Sequence, residues 1–170
     1  ANIYNGLAVK RDTVFDLASL TKPLATTLAV MLLIQQEKIR LDQPLSSVLF
    51  EFSNTPKADI QVSHLLYHTS GLPDYQPYYQ DIRQLPVALR KDALRKKIIA
   101  EPLVSEIGIK TLYSDVGFMI LEWVVKRLSG KTLSRFVKKK IYDNLGIENL
   151  FFINHDPYIL QNERINKAWC

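Results

Sequence analysis

The sequence predicts a mainly α-helical chain, and three observations carry that prediction. Apolar residues recur at helical rather than alternating spacing over the segments 20–37, 114–129 and 132–146. Proline or a capping hydroxyl opens these segments, and glycine closes the last two. No run of alternating strands lies between them. The 170 residues allow one ordinary domain or part of a larger one. With 47% hydrophobic and 23% charged residues the chain is globular in make-up, which excludes disordered, collagen-like and disulfide-scaffold classes. The single cysteine, Cys170, is the last residue, so no internal disulfide and no Cys-x-x-Cys pair can form.

Taken in order, Leu7-Ala8-Val9-Lys10 and Val14-Phe15 read as short extended pieces. Residues 20–37 are apolar nearly all round, which predicts a helix buried on several sides. Pro23 is tolerated only in a first turn, where its missing N–H has no partner anyway, so the helix starts near Leu20 with Ser19 at or beside its N-cap. Pro44 followed by Leu45-Ser46-Ser47-Val48-Leu49 reads as one helical turn or two. Ser63 is the predicted N-cap of a helix over His64-Leu65-Leu66-Tyr67-His68, stopped by the turn Thr69-Ser70-Gly71-Leu72-Pro73. Residues 75–85, rich in Tyr, Gln and Pro, read as a surface loop, and Pro86 opens a helix to Ala100 that ends before Pro102.

In 114–129 the positions Val116, Met119, Ile120, Trp123, Val124 and Leu128 form an apolar stripe, with Gly130 as the stop. Thr132 caps the next helix, which places Leu133, Phe136, Val137, Ile141 and Leu145 on one face and ends at Gly146. Leu150-Phe151-Phe152-Ile153 reads as a strand.

The chemistry centres on Ser19-Leu20-Thr21-Lys22, because residues i and i+3 share a helix face and bring a hydroxyl within reach of an amine. A lysine desolvated on so apolar a helix has a lowered pKa and serves either as the base that activates the serine or as a proton holder facing developing negative charge. The helix start adds unpaired N–H groups and the positive end of the dipole. Spacing alone favours a capping serine beside a surface lysine. A charge set into an apolar run is nevertheless costly without a purpose.

Val14-Phe15-Asp16-Leu17-Ala18-Ser19-Leu20-Thr21-Lys22, with Leu65-Leu66-Tyr67-His68-Thr69-Ser70-Gly71-Leu72-Pro73 and Tyr113-Ser114-Asp115-Val116-Gly117, resembles the penicillin-recognising serine hydrolases. The closest likeness is to the branch of class C β-lactamases, DD-peptidases and esterases, over residues 12–150. The resemblance implies an α+β fold of the β-lactamase/DD-peptidase type, with this chain, residues 1–170, as a single partial domain: the mainly helical portion, most of the antiparallel sheet missing. It implies Ser19 as the nucleophile of a covalent acyl-enzyme, Lys22 as its activating partner, and Tyr113 in proton transfer. Asp115 stands where the branch usually has Asn and would meet substrate. An ionised Asp only accepts hydrogen bonds and favours a protonated Lys22, which shifts the base role toward Tyr113 and disfavours anionic substrates close by. His68-Thr69-Ser70-Gly71 becomes a structural turn, its glycine at positive φ.

The family's third motif, Lys-Thr-Gly or His-x-Gly on a late strand, is absent: none of Gly6, Gly71, Gly108, Gly117, Gly130 and Gly146 follows Lys-Thr, Lys-Ser or His-x. Cys170 then reads as an interior residue at a cut. The expected activity is hydrolysis of an ester, amide or β-lactam carbonyl, with the tyrosines of 75–84 and Tyr67 lining the pocket. The competing reading is a catalytically incomplete scaffold for binding or assembly. No cofactor is implied. His64 and His68, with His155 as a third, superficially suggest a metal site, but no HExxH pattern or nearby carboxylate completes one, and no metal is expected. Asp16 is expected to bond locally.

The basic runs Arg90-Lys91, Arg95-Lys96-Lys97 and Arg135 with Lys138-Lys139-Lys140 account for most of the +5 charge and read as solvated helix faces. Without interleaved aromatics they do not suggest nucleic acid. The longest apolar stretch, 23–34, falls short of the roughly 20 residues of a membrane span. No secretion signal opens the sequence, which begins without Met as a processed or excised chain would; the family likeness implies a periplasmic or extracellular setting. A partial domain predicts exposed apolar surface on 20–37, which the missing sheet or a partner chain would cover.

Overall fold

Helix α5 (Asp115–Ser129) is the element around which the rest packs, and its sequence explains why: Val116, Phe118, Ile120, Leu121, Trp123, Val124 and Val125 are all buried, a wider face than the predicted stripe. Met119 and Leu128 lie at its margin. The computed structural model describes residues 10–11 and 13–153. Leu7-Ala8-Val9, His155 and Cys170 therefore lie outside the described residues, and Val14-Phe15 forms no strand.

Against α5 lies a continuous helical segment wound in three ways: a 3₁₀ turn Ala18–Leu20, a π stretch Lys22–Thr27, and α1 (Leu28–Gln35). One helix over 20–37 was expected. Within the π stretch the Leu24 carbonyl accepts from the Tyr142 hydroxyl at 2.7 Å, which ties this segment to the end of the chain's helical part. Burial also differs from expectation. Ala25, Thr26, Ala29, Val30 and Leu33 face the core, while Leu20, Leu24 and Met31 are exposed, so the segment is buried on one side only. At 18 residues and mean hydropathy 1.3 it is long and apolar enough to cross a membrane by length and composition. Its packing on α5 and the pairing of Lys22 with Asp115 give it the place of a core helix.

Two 3₁₀ turns, Leu45–Ser47 and Phe50–Phe52, bury Leu45, Leu49 and Phe52, and Phe52 meets Trp123 at 5.6 Å between ring centroids. α2 (Val62–Leu66) is capped by Gln61, not by Ser63. The extended Gln61 backbone donates its N–H to His64 Nδ1 at 3.1 Å, while the Ser63 hydroxyl donates to Gln61 Oε1. Among the described residues the only β-pairing is an isolated antiparallel bridge, Pro44 with Gln61, and Phe151-Phe152-Ile153 forms no strand.

The loop predicted over 75–85 contains a short α3 (Tyr79–Ile82), and Tyr78 turns inward to donate to Glu101 at 2.7 Å. α4 (Val87–Ala100) begins after Pro86 as predicted. Its basic run is only partly a solvated face, because Lys91 pairs with Glu122 at 3.0 Å and the Arg95 guanidinium covers the Trp123 ring at 4.5 Å, fastening α4 to α5. Lys57, 2% exposed, donates to the Ile99 carbonyl at 2.9 Å and so satisfies the end of α4.

Gly71 has φ +76°, as its turn requires, and a Cβ there would stand 2.3 Å from the Ser105 carbonyl oxygen. Ser114 caps α5, accepting from Gly117 N at 3.1 Å and donating to the Pro73 carbonyl at 2.6 Å. Thr132 caps α6 (Leu133–Val137), after which the chain winds as π over Lys138–Tyr142 and 3₁₀ over Asp143–Leu145. The wider winding turns Tyr142 into the core and leaves Leu145 exposed, against the predicted α-helical face.

Candidate active site

Asp16 bonds locally: its Oδ1 accepts the Ala18 N–H at 2.8 Å. That contact holds Ala18 at φ +43°, a left-handed conformation costing a non-glycine residue about 1–2 kcal/mol. Ser19, the next residue, is exposed. One helical step on, Lys22 Nζ donates to Ser19 Oγ at 3.3 Å and to Asp115 Oδ1 at 2.5 Å. The lysine side chain is 13% exposed and the aspartate side chain 33%. Two aromatic faces flank the ammonium, the Tyr113 ring at 4.8 Å and the Phe118 ring at 5.6 Å from centroid.

Asp115 is the first residue of α5, where a carboxylate meets the positive end of the helix dipole, and its N–H donates to the Asp74 carbonyl at 2.7 Å. Tyr113 precedes the Ser114 cap and is half exposed. Ser19, Lys22, Tyr113 and Asp115, far apart in sequence, are thus brought to one place.

The electrostatics run against a lowered lysine pKa. Burial pulls Lys22 down, but the Asp115 carboxylate and the Tyr113 phenol beside it outweigh that, and the amine is held above its ordinary value. Tyr113 moves the other way: Lys22 and then Ser19 against the phenol lower its pKa, while the Asp115 charge opposes the shift. Of the tyrosines expected to line a pocket, Tyr75 lies close enough to Tyr79 and Asp115 to feel their charge, whereas Tyr78 faces the core.

His64 and His68 do not converge on a common point. Each accepts a backbone N–H through Nδ1, His64 from Gln61 and His68 from Ser114, the latter at 3.0 Å. Phe118 and His68 are the neighbours of the cluster that sequence reasoning left out. Phe118 lies outside the predicted apolar stripe, and His68 reads in the sequence as a discounted metal ligand and part of a structural turn.

A family model described as β-lactamase matches residues 1–165. A protein of Escherichia coli O157:H7, provisionally named a D-alanyl-D-alanine carboxypeptidase, is 31% identical over 147 residues, 82% of this chain and 34% of that protein. The N-acetylmuramyl-L-alanine amidase of Bacillus subtilis (strain 168) is 31% identical over 151 residues, 85% of this chain and 34% of the amidase. The chain therefore spans 34% of the length of these curated relatives. Among solved structures, a class C β-lactamase mutant superposes with a TM-score of 0.74 over 95% of this chain and 41% of its own, at 21% identity, which bears on the fold alone.

Proposed function

The chain belongs to the β-lactamase family, and from that premise we propose that the protein is a serine hydrolase acting through a covalent acyl-enzyme on an ester, amide or β-lactam carbonyl. One observation carries the reading. Lys22 Nζ bridges Ser19 Oγ and Asp115 Oδ1 through contacts of 3.3 and 2.5 Å, and lies 4.8 Å from the centroid of the Tyr113 ring.

Lys22, paired with Asp115, stays protonated and supplies positive charge where an oxyanion develops. Tyr113, easier to ionise than an ordinary phenol, is the base. It takes the Ser19 proton as Oγ bonds to the carbonyl carbon and the C=O electron pair moves onto oxygen. Collapse of that intermediate expels the leaving group, which recovers the proton from Tyr113. Water then attacks the acyl-serine by the same proton route and releases the acid.

Asp115 can only accept, so it suits a substrate N–H and repels an anionic group placed beside it. A peptide amide fits, and the names of the carboxypeptidase and amidase relatives support that class. Asp115, standing where the branch usually has Asn, favours a second reading, a scaffold that binds without turnover. Incubation with a fluorophosphonate or a fluorescent penicillin, followed by intact-mass analysis, decides between them. One adduct on Ser19, lost in Ser19→Ala, is the expected result; folded protein without any adduct leaves the scaffold.

A further inference from the structure

His68 holds the residues around Tyr113 at three successive points. Its carbonyl accepts the Leu112 N–H at 2.8 Å, and its Nδ1 accepts the Ser114 N–H at 3.0 Å. Its ring lies along that of Tyr113 at 4.6 Å between centroids, and along Phe118 at 5.2 Å. To make all three contacts the residue sits at φ +59°, a left-handed conformation that His, Asn and Asp tolerate better than most side chains. Sparsely populated backbone of this kind persists where the surroundings over-determine it.

We propose that His68 is a positioning residue, whose neutral imidazole fixes the Tyr113–Ser114–Asp115 segment so that phenol and carboxylate both meet Lys22. Its catalytic meaning rests on the reading of Tyr113 as the base. With residues 112 and 114 bonded on either side and one ring face against His68, Tyr113 is held with its ring 4.8 Å from Lys22 Nζ. Accepting at Nδ1 puts the ring proton on Nε2. A second proton would add an N–H at Nδ1, turned against the Ser114 N–H, and release the segment.

The charged and titratable groups facing the ring are Lys22 from the Ser19 helix, Asp115 from α5, and Tyr113. Burial and then the Lys22 charge lower the His68 pKa below 6.5, and Asp115 opposes them, so the imidazole is neutral at pH 7 and the grip is lost only on acidification.

The experiment follows two quantities in the intact protein, His68→Ala and His68→Asn: the Tyr113 titration by ring carbon-13 NMR, assigned through Tyr113→Phe, and the rate of fluorophosphonate labelling against pH. Asn accepts φ near +60° and offers Oδ1 in place of Nδ1 without titrating. His68→Ala is expected to return Tyr113 toward its ordinary value of 10 and to slow labelling about tenfold to a hundredfold. His68→Asn is expected to keep the lowered Tyr113 and most of the rate, and to lose the acid-side fall that His68 causes below pH 6.5 in the parent. Identical Tyr113 titration in all three proteins overturns the proposal, as does a folded His68→Asn in which Tyr113 titrates near 10. If His68→Ala does not fold, the Asn variant decides alone. A parent that takes no label defeats the hydrolase reading, while the Tyr113 titration still settles this one.

Discussion

Asp115 favours the protonated form of both its neighbours, holding Lys22 charged and making Tyr113 harder to ionise than Lys22 alone would leave it. Asp115→Asn removes both effects. The Lys22 pKa is expected to fall, and hydrolysis of an anionic ester is expected to gain on that of a neutral ester by roughly fivefold to tenfold, the scale of one unscreened charge at a partly exposed site. Parallel kcat/KM measurements on the two esters check this, and an unchanged ratio counts against a role for the carboxylate in substrate choice. Ser19, Lys22, Tyr113 and Asp115 were legible because hydroxyl, amine, phenol and carboxylate occur in recognisable local patterns. The direction of the Lys22 shift is the one expected from Asp115 and not the one expected from the apolar helix, since Asp115, 93 positions away, and Tyr113 together outweigh the local burial. His68 escaped for a related reason: its function lies in backbone groups of Leu112 and Ser114, which leave no trace in residue type.

At the scale of elements, the turn after α2 is stitched to the segment before α5 through Gly71, whose carbonyl accepts the Val104 N–H at 2.8 Å. Gly71→Ala adds left-handed strain of about 1–2 kcal/mol, and its methyl meets the Ser105 carbonyl, backbone that cannot swing aside, so a total loss above ~2 kcal/mol is expected from urea unfolding. A change below ~0.5 kcal/mol would mean that the turn is not under the strain described. Local chemistry made this turn readable, as it did the Thr132 cap and the glycine stops at 130 and 146, all of which hold. Elements went unread where a distant group intervenes. Tyr142 bonds the Leu24 carbonyl inside the π stretch from 118 positions away, and the Gln61 backbone engages His64 in place of a Ser63 cap.

For the whole molecule, the α+β class implied by the resemblance agrees with its β-lactamase-fold neighbours, of which the described residues form helical portions. The core joins both ends of the described chain: Val30 and Leu33 of α1 are completely buried with Ile120, Val124 and Val137. Leu33→Ala is expected to cost about 2–5 kcal/mol in urea unfolding, whereas Met31→Ala, two residues away and 57% exposed, should change stability by less than ~0.5 kcal/mol. Comparable losses would show that the exposed face of the helix is covered in solution. The distance between the halves of the candidate site also orders events during synthesis. Lys22, the later of the Ser19–Lys22 pair, leaves the ribosome 93 positions before Asp115, about 5–20 s at ordinary elongation rates. Through that interval the serine is present without its phenol or the carboxylate that fixes its lysine, so a nascent chain stalled before residue 113 should stay unlabelled however long it waits.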